Sequence, residues 1–353
     1  MSKYYKIFTV GTVFLHVLFV DSCVAWASDN TALQEDLKFE TSQIMKSTVY
    51  RDKPWGANDT ASDGAFSSVN KTWDQTHTGK WFIEQQRAGD QIISTGLAYG
   101  DRVLIDRGLK ILEWGFAQQK PDGSFSCDDA FHSTSFFVEA AAHSILLLKT
   151  APKGAEFKTR VDDLQRKLAL TAHWMINPEI EKDAKSKNLV FTHRRYLVGA
   201  ALGEAAIALN DQKLLAKSEE YVRDGLSLQR PDGVNPEKHG YDSNYQAVGM
   251  VFALRYYRLV ADDAMKAEMY PYLARGMIWL ESRITNEGDV LSEGNTRSGG
   301  QEKNRDGTPK GINYTWVVIS LADWGFITND AKLYNAAELV WHRWQLVKPG
   351  HKG

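Results

Sequence analysis

Turn-forming pairs recur along this chain at one fixed spacing, which constrains the fold more than any other feature. They stand 55 residues apart, at Asp122-Gly123, Asn177-Pro178, Asp232-Gly233 and Glu287-Gly288. Two of them share their flanking sequence, Gln-Lys-Pro-Asp-Gly at 119–123 and Gln-Arg-Pro-Asp-Gly at 229–233. Pairs of this kind mark turns, and a fixed period indicates a repeat architecture.

Two kinds of helical pattern alternate within the repeat. The pattern before the turn is amphipathic, with Ile105, Leu109 and Leu112 on one face. The pattern after the turn is apolar nearly all round, at 136–148, 196–209 and 246–257. A helix that is apolar on all sides is enclosed by neighbours, whereas an amphipathic helix keeps a wet face. The sequence therefore predicts an all-α (α/α) toroid of about five to six hairpins, with an open superhelix as the alternative.

The first 27 residues have the pattern of a secretory signal. Lys3 and Lys6 precede an apolar stretch, and Ala25-Trp26-Ala27 fits a small-x-small cleavage site. We expect residues 1–27 to be removed and residues 28–353 to form one catalytic domain that is periplasmic or secreted.

The cysteines agree with this interpretation. Cys23 follows Val-Asp-Ser, a poor lipoprotein box, so a simple signal is preferred over a lipid anchor. The mature chain then keeps Cys127 alone, which excludes an internal disulfide.

Composition and motifs exclude several classes of function. The chain has 42 Lys+Arg against 44 Asp+Glu, so its net charge of -2 gives no overall attraction to nucleic acid or membrane. Walker, dinucleotide-binding, nucleophile-elbow and zincin motifs are absent from the sequence. Asp129 and His132 could share a metal, but two residues do not make a site. We expect no cofactor, no metal, no nucleic-acid or membrane partner after signal removal, and a monomer.

Polar stretches follow each turn and lead into the enclosed helices, so they converge at one end of the fold. Residues 50–80 lack periodicity and predict a long loop that covers one mouth. A second loop, over 293–303, is rich in glycine and polar residues, which is typical of a loop that binds or covers a ligand. We expect a shared cleft lined by Asp129, His132, His193, Arg194, His239, Tyr241, Asp242, Asn244, Tyr245, Arg297 and Tyr314.

Two segments carry a resemblance to a known family. Asn-Leu-Val-Phe-Thr-His-Arg-Arg-Tyr at 188–196, followed by a helix of small residues, resembles the histidine-bearing helix start of alginate-lyase-type (α/α) toroid enzymes. Tyr-Asp-Ser-Asn-Tyr at 241–245 resembles the stretch that supplies their catalytic tyrosine. Only His132-Ser133 remains of their fuller Asn-Asn-His-Ser-Tyr-Trp pattern, so the substrate stays open. The resemblance implies a polysaccharide lyase.

The chemistry of such a lyase can be matched to residue types. Cleavage of a 4-linked uronate by β-elimination needs removal of the C5 proton, neutralisation of the carboxylate and protonation of the leaving O4. His193 or Tyr245 could take the proton, and Tyr241 or Tyr245 could return one. The charge on the carboxylate could be stabilised by Arg194, Asn244 or Arg297. The remaining cleft residues would bind substrate.

Two alternatives stay open. A glycoside hydrolase of the same fold would use two carboxylates, for which Asp129, Asp242, Glu293 and Glu302 are candidates. A non-catalytic glycan-binding or exopolysaccharide-assembly protein would keep its His and Tyr side chains buried and hydrogen-bonded within the protein. Outside the cleft, Glu139 and His143 lie four residues apart on an apolar helix, a spacing that predicts a buried pair.

Overall fold

The computed structural model of the chain describes residues 30–50, 64–66, 82–304 and 307–347. The predicted signal, residues 1–27, lies outside the described residues, as does most of the loop predicted over 50–80. Within the described part the chain is all-α, as the sequence predicts, and its few β-bridges are isolated pairs.

Fourteen α-helices and one 3-10 helix make up most of the described residues. They are α1 (Asn30–Phe39), α2 (Gln43–Thr48), α3 (Phe82–Gln85), α4 (Ala88–Tyr99), α5 (Arg102–Ala117), α6 (Ala130–Thr150), the 3-10 helix (Pro152–Phe157), α7 (Lys158–Met175), α8 (Pro178–Asn188), α9 (Thr192–Leu209), α10 (Gln212–Leu228), α11 (Ser243–Leu259), α12 (Asp263–Glu281), α13 (Tyr314–Thr328) and α14 (Ala331–Val347).

From α4 onward, two kinds of helix alternate along the chain. Helices α6, α9 and α11 are buried on nearly every side. The helices α4, α6, α9, α11 and α13 contact one another in that order. Each is followed by a helix that packs on it, and these partners are α5, α7, α10, α12 and α14. The partners keep an exposed face: in α5, for example, Ile105, Leu109 and Leu112 are fully buried while Val103 is 66% exposed. The two predicted helix types are confirmed.

The short helices near the N-terminus connect elements that are distant in sequence. Helix α2 contacts α4 near the start of the alternating series and both α13 and α14 at its end. Helix α1 contacts α6 and α11. One contiguous hydrophobic core accordingly extends from Leu37 to Trp341. In the part of the chain that the structure describes, no helix combines the length and apolar character needed to cross a membrane.

Three of the four predicted repeat turns share one conformation. Gly123, Gly233 and Gly288 have φ of 89°, 89° and 87°. Each glycine lies directly against a backbone carbonyl of the next outer helix, where a side chain would not fit. The side chains of Gln119 and Gln229 strengthen two of these turns, since they donate to the carbonyls of Lys167 and Tyr272 at 2.8 and 3.0 Å.

The remaining turn has a different structure. The Asn177 side chain accepts from the Glu179 amide at 3.0 Å and caps an additional helix, α8, with Pro178 at its first position. An N-cap followed by proline is a favourable helix start. Asn177-Pro178 therefore lies on the spacing of 55 residues, but it begins an additional helix instead of forming a glycine turn.

The opposite end of the helical pairs has short connections of its own. Gly100, Asn210 and Asn329 end α4, α9 and α13 in the left-handed conformation, which favours glycine and asparagine. An aspartate follows each of them, and Asp101 and Asp211 cap the next helix by accepting from two amides each. These tight connections leave the long loops, and with them the polar residues, at the other end.

The repeat turn can be tested at Gly233. A Cβ there would lie 2.2 Å from the carbonyl oxygen of Arg275, whereas a Cβ at Gly300, whose φ of 88° is nearly the same, would meet nothing within 4 Å. We expect Gly300→Ala to cost about 1 kcal/mol of unfolding free energy from backbone strain. Gly233→Ala should cost about 1–3 kcal/mol more because of the clash. Urea unfolding of both variants measures the difference, and equal losses would contradict the proposed role of the close contact.

Candidate active site

Six side chains predicted to converge line one cleft of about 380 Å³. They lie near the starts of the three most enclosed helices or on the long loop before α13: His132 on α6, His193 and Arg194 on α9, Asn244 and Tyr245 on α11, and Arg297 on the loop. Because the outer-to-inner connections all end at the same side of the fold, residues far apart in sequence meet here.

A short backbone contact places a carboxylate behind His193. The segment before α9 pairs with residues 236–238: the Thr192 amide donates to the Pro236 carbonyl at 3.3 Å, and the Lys238 amide donates to the Val190 carbonyl at 2.9 Å. Lys238 and His239 both adopt positive φ, 48° and 69°. Non-glycine residues rarely take this conformation, and such strain is often held at functional sites. The tight turn that results points Glu237 into the protein.

Glu237 and His193 form a buried dyad. Glu237 Oε1 accepts from His193 Nδ1 at 2.5 Å and from the His193 amide at 3.2 Å. The other oxygen accepts from Arg297 Nη1 at 3.3 Å. A carboxylate acceptor places the imidazole proton on Nδ1, which leaves a lone pair on Nε2. No described residue bonds to Nε2, so the lone pair is available to a ligand in the cleft.

Both histidines of the cleft are held in their neutral form. Burial lowers the pKa of His193 below its usual 6.5, although the Glu237 carboxylate partly opposes this. The pKa of His132 is lowered further, by burial and by the charge of Arg194. The His132 ring packs edge-on against His193, with centroids 6.3 Å apart, and hydrogen-bonds to no described residue. A neutral imidazole can accept a proton near pH 7, as a general base must.

Tyr245 contacts both His193 and two basic side chains. Its ring centroid is 4.7 Å from that of His193. The Arg297 guanidinium stacks on the same tyrosine ring, 3.7 Å from its centroid, and it also contacts Phe191 at 4.7 Å. The Lys310 ammonium is 5.6 Å from the same tyrosine ring. The Tyr245 hydroxyl makes no hydrogen bond within the described part of the chain, so it too is available to a ligand.

The cleft is strongly basic although the whole chain is not. Glu84 is its one acidic lining residue among those described, against five basic ones: Arg87, Arg194, Arg297, Lys303 and Lys310. Carboxylates that do not line the cleft pair with these basic side chains. Asp129 accepts from Arg194 at 3.0 Å, and Glu302 pairs with Arg297, Lys310 and Lys238. Burial alone would raise the pKa of Glu302, but hydrogen bonds from the two lysines and the Arg297 charge lower it to about 2. An anionic ligand is therefore favoured at the surface of the cleft.

Asp242 was predicted to bind substrate, but the residue is 1% exposed and both of its carboxylate oxygens accept hydrogen bonds from the protein. Oδ1 accepts from the amides of Asn244 and Tyr245, both at 3.1 Å. Oδ2 accepts from the amides of Arg297 and Ser298 at 2.8 and 2.7 Å. Asp242 therefore caps α11 and anchors the long loop instead of facing the cleft.

Four other predicted residues lie outside the described lining of the cleft. The Asp129 carboxylate sits behind Arg194, as given above. The Tyr241 hydroxyl donates to the Glu293 carbonyl at 3.2 Å, and its ring packs on Trp279. His239 is exposed on its strained turn. The Tyr314 hydroxyl lies 3.4 Å from Asp289 Oδ1. The structure therefore separates Tyr245 from the other candidate tyrosine, Tyr241.

The carboxylates considered for a hydrolase are engaged or remote. Asp129 and Glu302 are held by basic side chains, and Asp242 by amides. Glu293 is exposed and does not line the described cleft. None of them is placed as a free carboxylic acid in the cleft, a position that a glycosidase acid requires.

Comparison of the chain with protein-family models, with curated proteins and with solved structures gave no match. Among the described residues, no three His, Cys, Asp or Glu side chains lie close enough to hold a metal ion. The assignment of function therefore depends on the geometry of the cleft.

The dyad makes a direct prediction for the titration of His193. An adjacent anion favours the imidazolium, so Glu237→Gln should lower the His193 pKa further below 6.5. In a pH titration followed by NMR, the chemical shift of a His193 ring proton should change between its imidazolium and neutral values at a lower pH in the variant than in the wild type. Asp224→Asn, which removes a carboxylate paired with Arg195 at 3.1 Å, is the control and should leave the His193 midpoint in place. An unchanged or raised midpoint in Glu237→Gln would contradict the dyad.

Proposed function

We propose that the protein is an exported polysaccharide lyase that cleaves a uronate-containing polymer by β-elimination. The observation that carries the proposal is the His193–Glu237 dyad beside Tyr245 in a basic cleft. The resemblance of residues 188–196 and 241–245 to alginate-lyase-type enzymes supports the same reaction. Export is proposed from the signal pattern of residues 1–27.

We further propose that the helices form an (α/α) toroid. The order of contacts from α4 through α6, α9 and α11 to α13 supports an inner layer of five helices. The contacts of α2 with both α4 and α13 support closure of that layer into a ring. Active sites at one end of such a fold collect the loops that follow the outer helices, which is where the cleft lies.

The basic lining meets one requirement of β-elimination, neutralisation of the uronate carboxylate. A uronate carboxylate bound in the cleft is neutralised by cations and amide donors, which stabilises the charge that develops when C5 loses its proton. Arg194 keeps a buried Nε that has no partner in the described structure. The Asn244 carbonyl oxygen accepts from the Asn313 amide at 2.8 Å, which directs its NH2 group away from that contact. These two side chains are suited to the carboxylate.

Proton transfer falls to His193 and Tyr245. His193 Nε2 takes the C5 proton, and Glu237 stabilises the imidazolium that forms. Tyr245 donates its hydroxyl proton to O4 as the C4–O4 bond breaks, which leaves a C4–C5 double bond and a new reducing end. The two rings are adjacent, so one sugar residue can reach both groups.

Substitutions in the cleft test this assignment. Tyr245→Phe and His193→Ala should each reduce the rate of formation of the unsaturated product by about 10²–10⁴-fold, because each removes a proton-transfer group. Tyr241→Phe is the matched control and should retain near-normal turnover, since Tyr241 packs on Trp279 away from the cleft. The measurement is ultraviolet absorbance of the conjugated product from alginate, polyglucuronate, hyaluronan and pectate, with reducing ends followed in parallel and folding checked by circular dichroism.

The same assay separates the alternatives. Reducing ends without absorbance would indicate a hydrolase. Near-normal turnover in both cleft variants would overturn the roles given to His193 and Tyr245.

The pH dependence follows from the neutral histidine. Because the His193 pKa lies below 6.5, the base is already deprotonated at neutral pH, and kcat/KM should fall only as the pH drops through that lowered pKa. Glu237→Gln, which lowers the pKa further, should move this acid limb to still lower pH while reducing the maximal rate. An acid limb above pH 6.5 in the wild type would contradict the assignment of His193 as the base.

A further inference from the structure

A second cavity of about 520 Å³ adjoins the basic cleft. Its size falls within the ~300–1,000 Å³ range of small-molecule sites. The two spaces have five lining residues in common: Arg87, Phe136, Ile312, Asn313 and Trp316. Since the same side chains border both spaces, a ligand bound in the cleft lies directly beside the second cavity.

The walls of the second cavity are aromatic. Trp341 and Trp344 lie side by side on α14, with ring centroids 4.9 Å apart, and Trp316 packs on Phe252 at 5.6 Å. Trp341 is 5% exposed, and its indole N–H has no partner among the described residues. Flat rings beside small polar groups bind the apolar faces and hydroxyls of sugars. The polar groups here include Gln91, Ser94, Thr95 and Gln345.

The lining of this cavity is more acidic than that of the cleft. It carries three carboxylates, Glu40, Asp90 and Glu139, against Arg87 and Arg255, and Arg258 pairs with Glu40 from outside the lining. A second uronate placed here would bring its carboxylate into a desolvated space beside three others, which is unfavourable. The hydroxyls of an uncharged sugar, by contrast, can donate to these oxygens.

The carboxylates of the second cavity are held by other side chains of the protein. Glu139 pairs with Arg255, and Asp90 Oδ1 accepts from His143 Nδ1 at 2.8 Å and from Ser144 Oγ at 2.9 Å. Glu139 and His143 are both buried, as predicted, but their predicted pairing is wrong, because each has a partner on another helix. These contacts position the carboxylates before any ligand binds, as a specific subsite requires.

We propose that the second cavity is a binding subsite for an uncharged sugar residue. This proposal rests on the proposed function, because it takes the neighbouring sugar residue to be a uronate bound in the basic cleft. The substrate it predicts is a polymer in which uronates alternate with uncharged sugars, such as N-acetylated hexosamines, and not a polymer of uronates alone.

Binding measurements test the subsite without requiring turnover. Isothermal titration calorimetry of the full protein would use tetrasaccharides of hyaluronan and unsulfated chondroitin, which alternate, and of polyglucuronate and polymannuronate, which do not. We expect the alternating pair to bind at least ~10-fold more tightly. Trp344→Ala should weaken the alternating pair by about 3–10-fold. Trp174→Ala, a half-buried tryptophan that contacts Phe131 outside both cavities, should change binding less than about 2-fold.

A charge variant gives an independent readout. Gln91→Lys adds a cation to the half-exposed edge of the acidic cavity and should narrow the preference between the two kinds of tetrasaccharide by strengthening the all-uronate pair. Equal binding of all four tetrasaccharides to the wild type, no effect of Trp344→Ala, or no binding by any of them would overturn the subsite.

The outcomes for the subsite and the reaction are distinguishable. Preferential binding of the alternating pair without an unsaturated product would retain the subsite and refute the lyase. An unsaturated product from an all-uronate polymer, with no effect of Trp344→Ala on binding, would retain the lyase and refute the subsite.

Discussion

Five hydrogen bonds converge on the carboxylate of Asp242, and the geometry of the cleft depends on them. Two come from the amides of Asn244 and Tyr245 in the first turn of α11, two from the amides of Arg297 and Ser298, and one from the Ser298 hydroxyl at 2.8 Å. Hydrogen bonds to a buried carboxylate are stronger than those between neutral groups. One side chain thus fixes the helix start that bears Tyr245 and the loop that bears Arg297, so the stacked position of these two residues follows from a residue that does not line the cleft.

Much of the fold could be predicted because its signals are local. The apolar faces of α5 and α6 and the glycine turns at Gly123 and Gly233 are each encoded within a few residues. The additional helix α8 was not predicted, since its cap, Asn177-Pro178, falls on the same spacing as the glycine turns. The glycine or asparagine followed by aspartate at three inner-to-outer connections is a further local signal, which marks where one helix ends and the next begins.

The site was predictable only in part, and the reason is sequence distance. His193 and Tyr245 each lie just inside a helix start, so a prediction of where helices begin brings them together. Glu237 could not be assigned in this way, because its contact with His193 spans 44 residues and depends on the strained turn that follows it. Tyr241 is a candidate from the same resembling segment, 241–245, but it precedes the cap residue of α11, and its ring packs on Trp279 instead.

The arrangement of charge in the cleft determines the range over which it can act. Cations face the cleft, and Asp129, Glu237 and Glu302 stand directly behind them. Such paired layers form a sheet of dipoles, whose potential falls off with distance faster than that of isolated charges. Together with a net charge of -2, this gives little long-range steering of a polyanion toward the protein. The association rate should therefore be set by random diffusional collision between polymer and protein. Selectivity for the polymer then arises only after it has contacted the cleft.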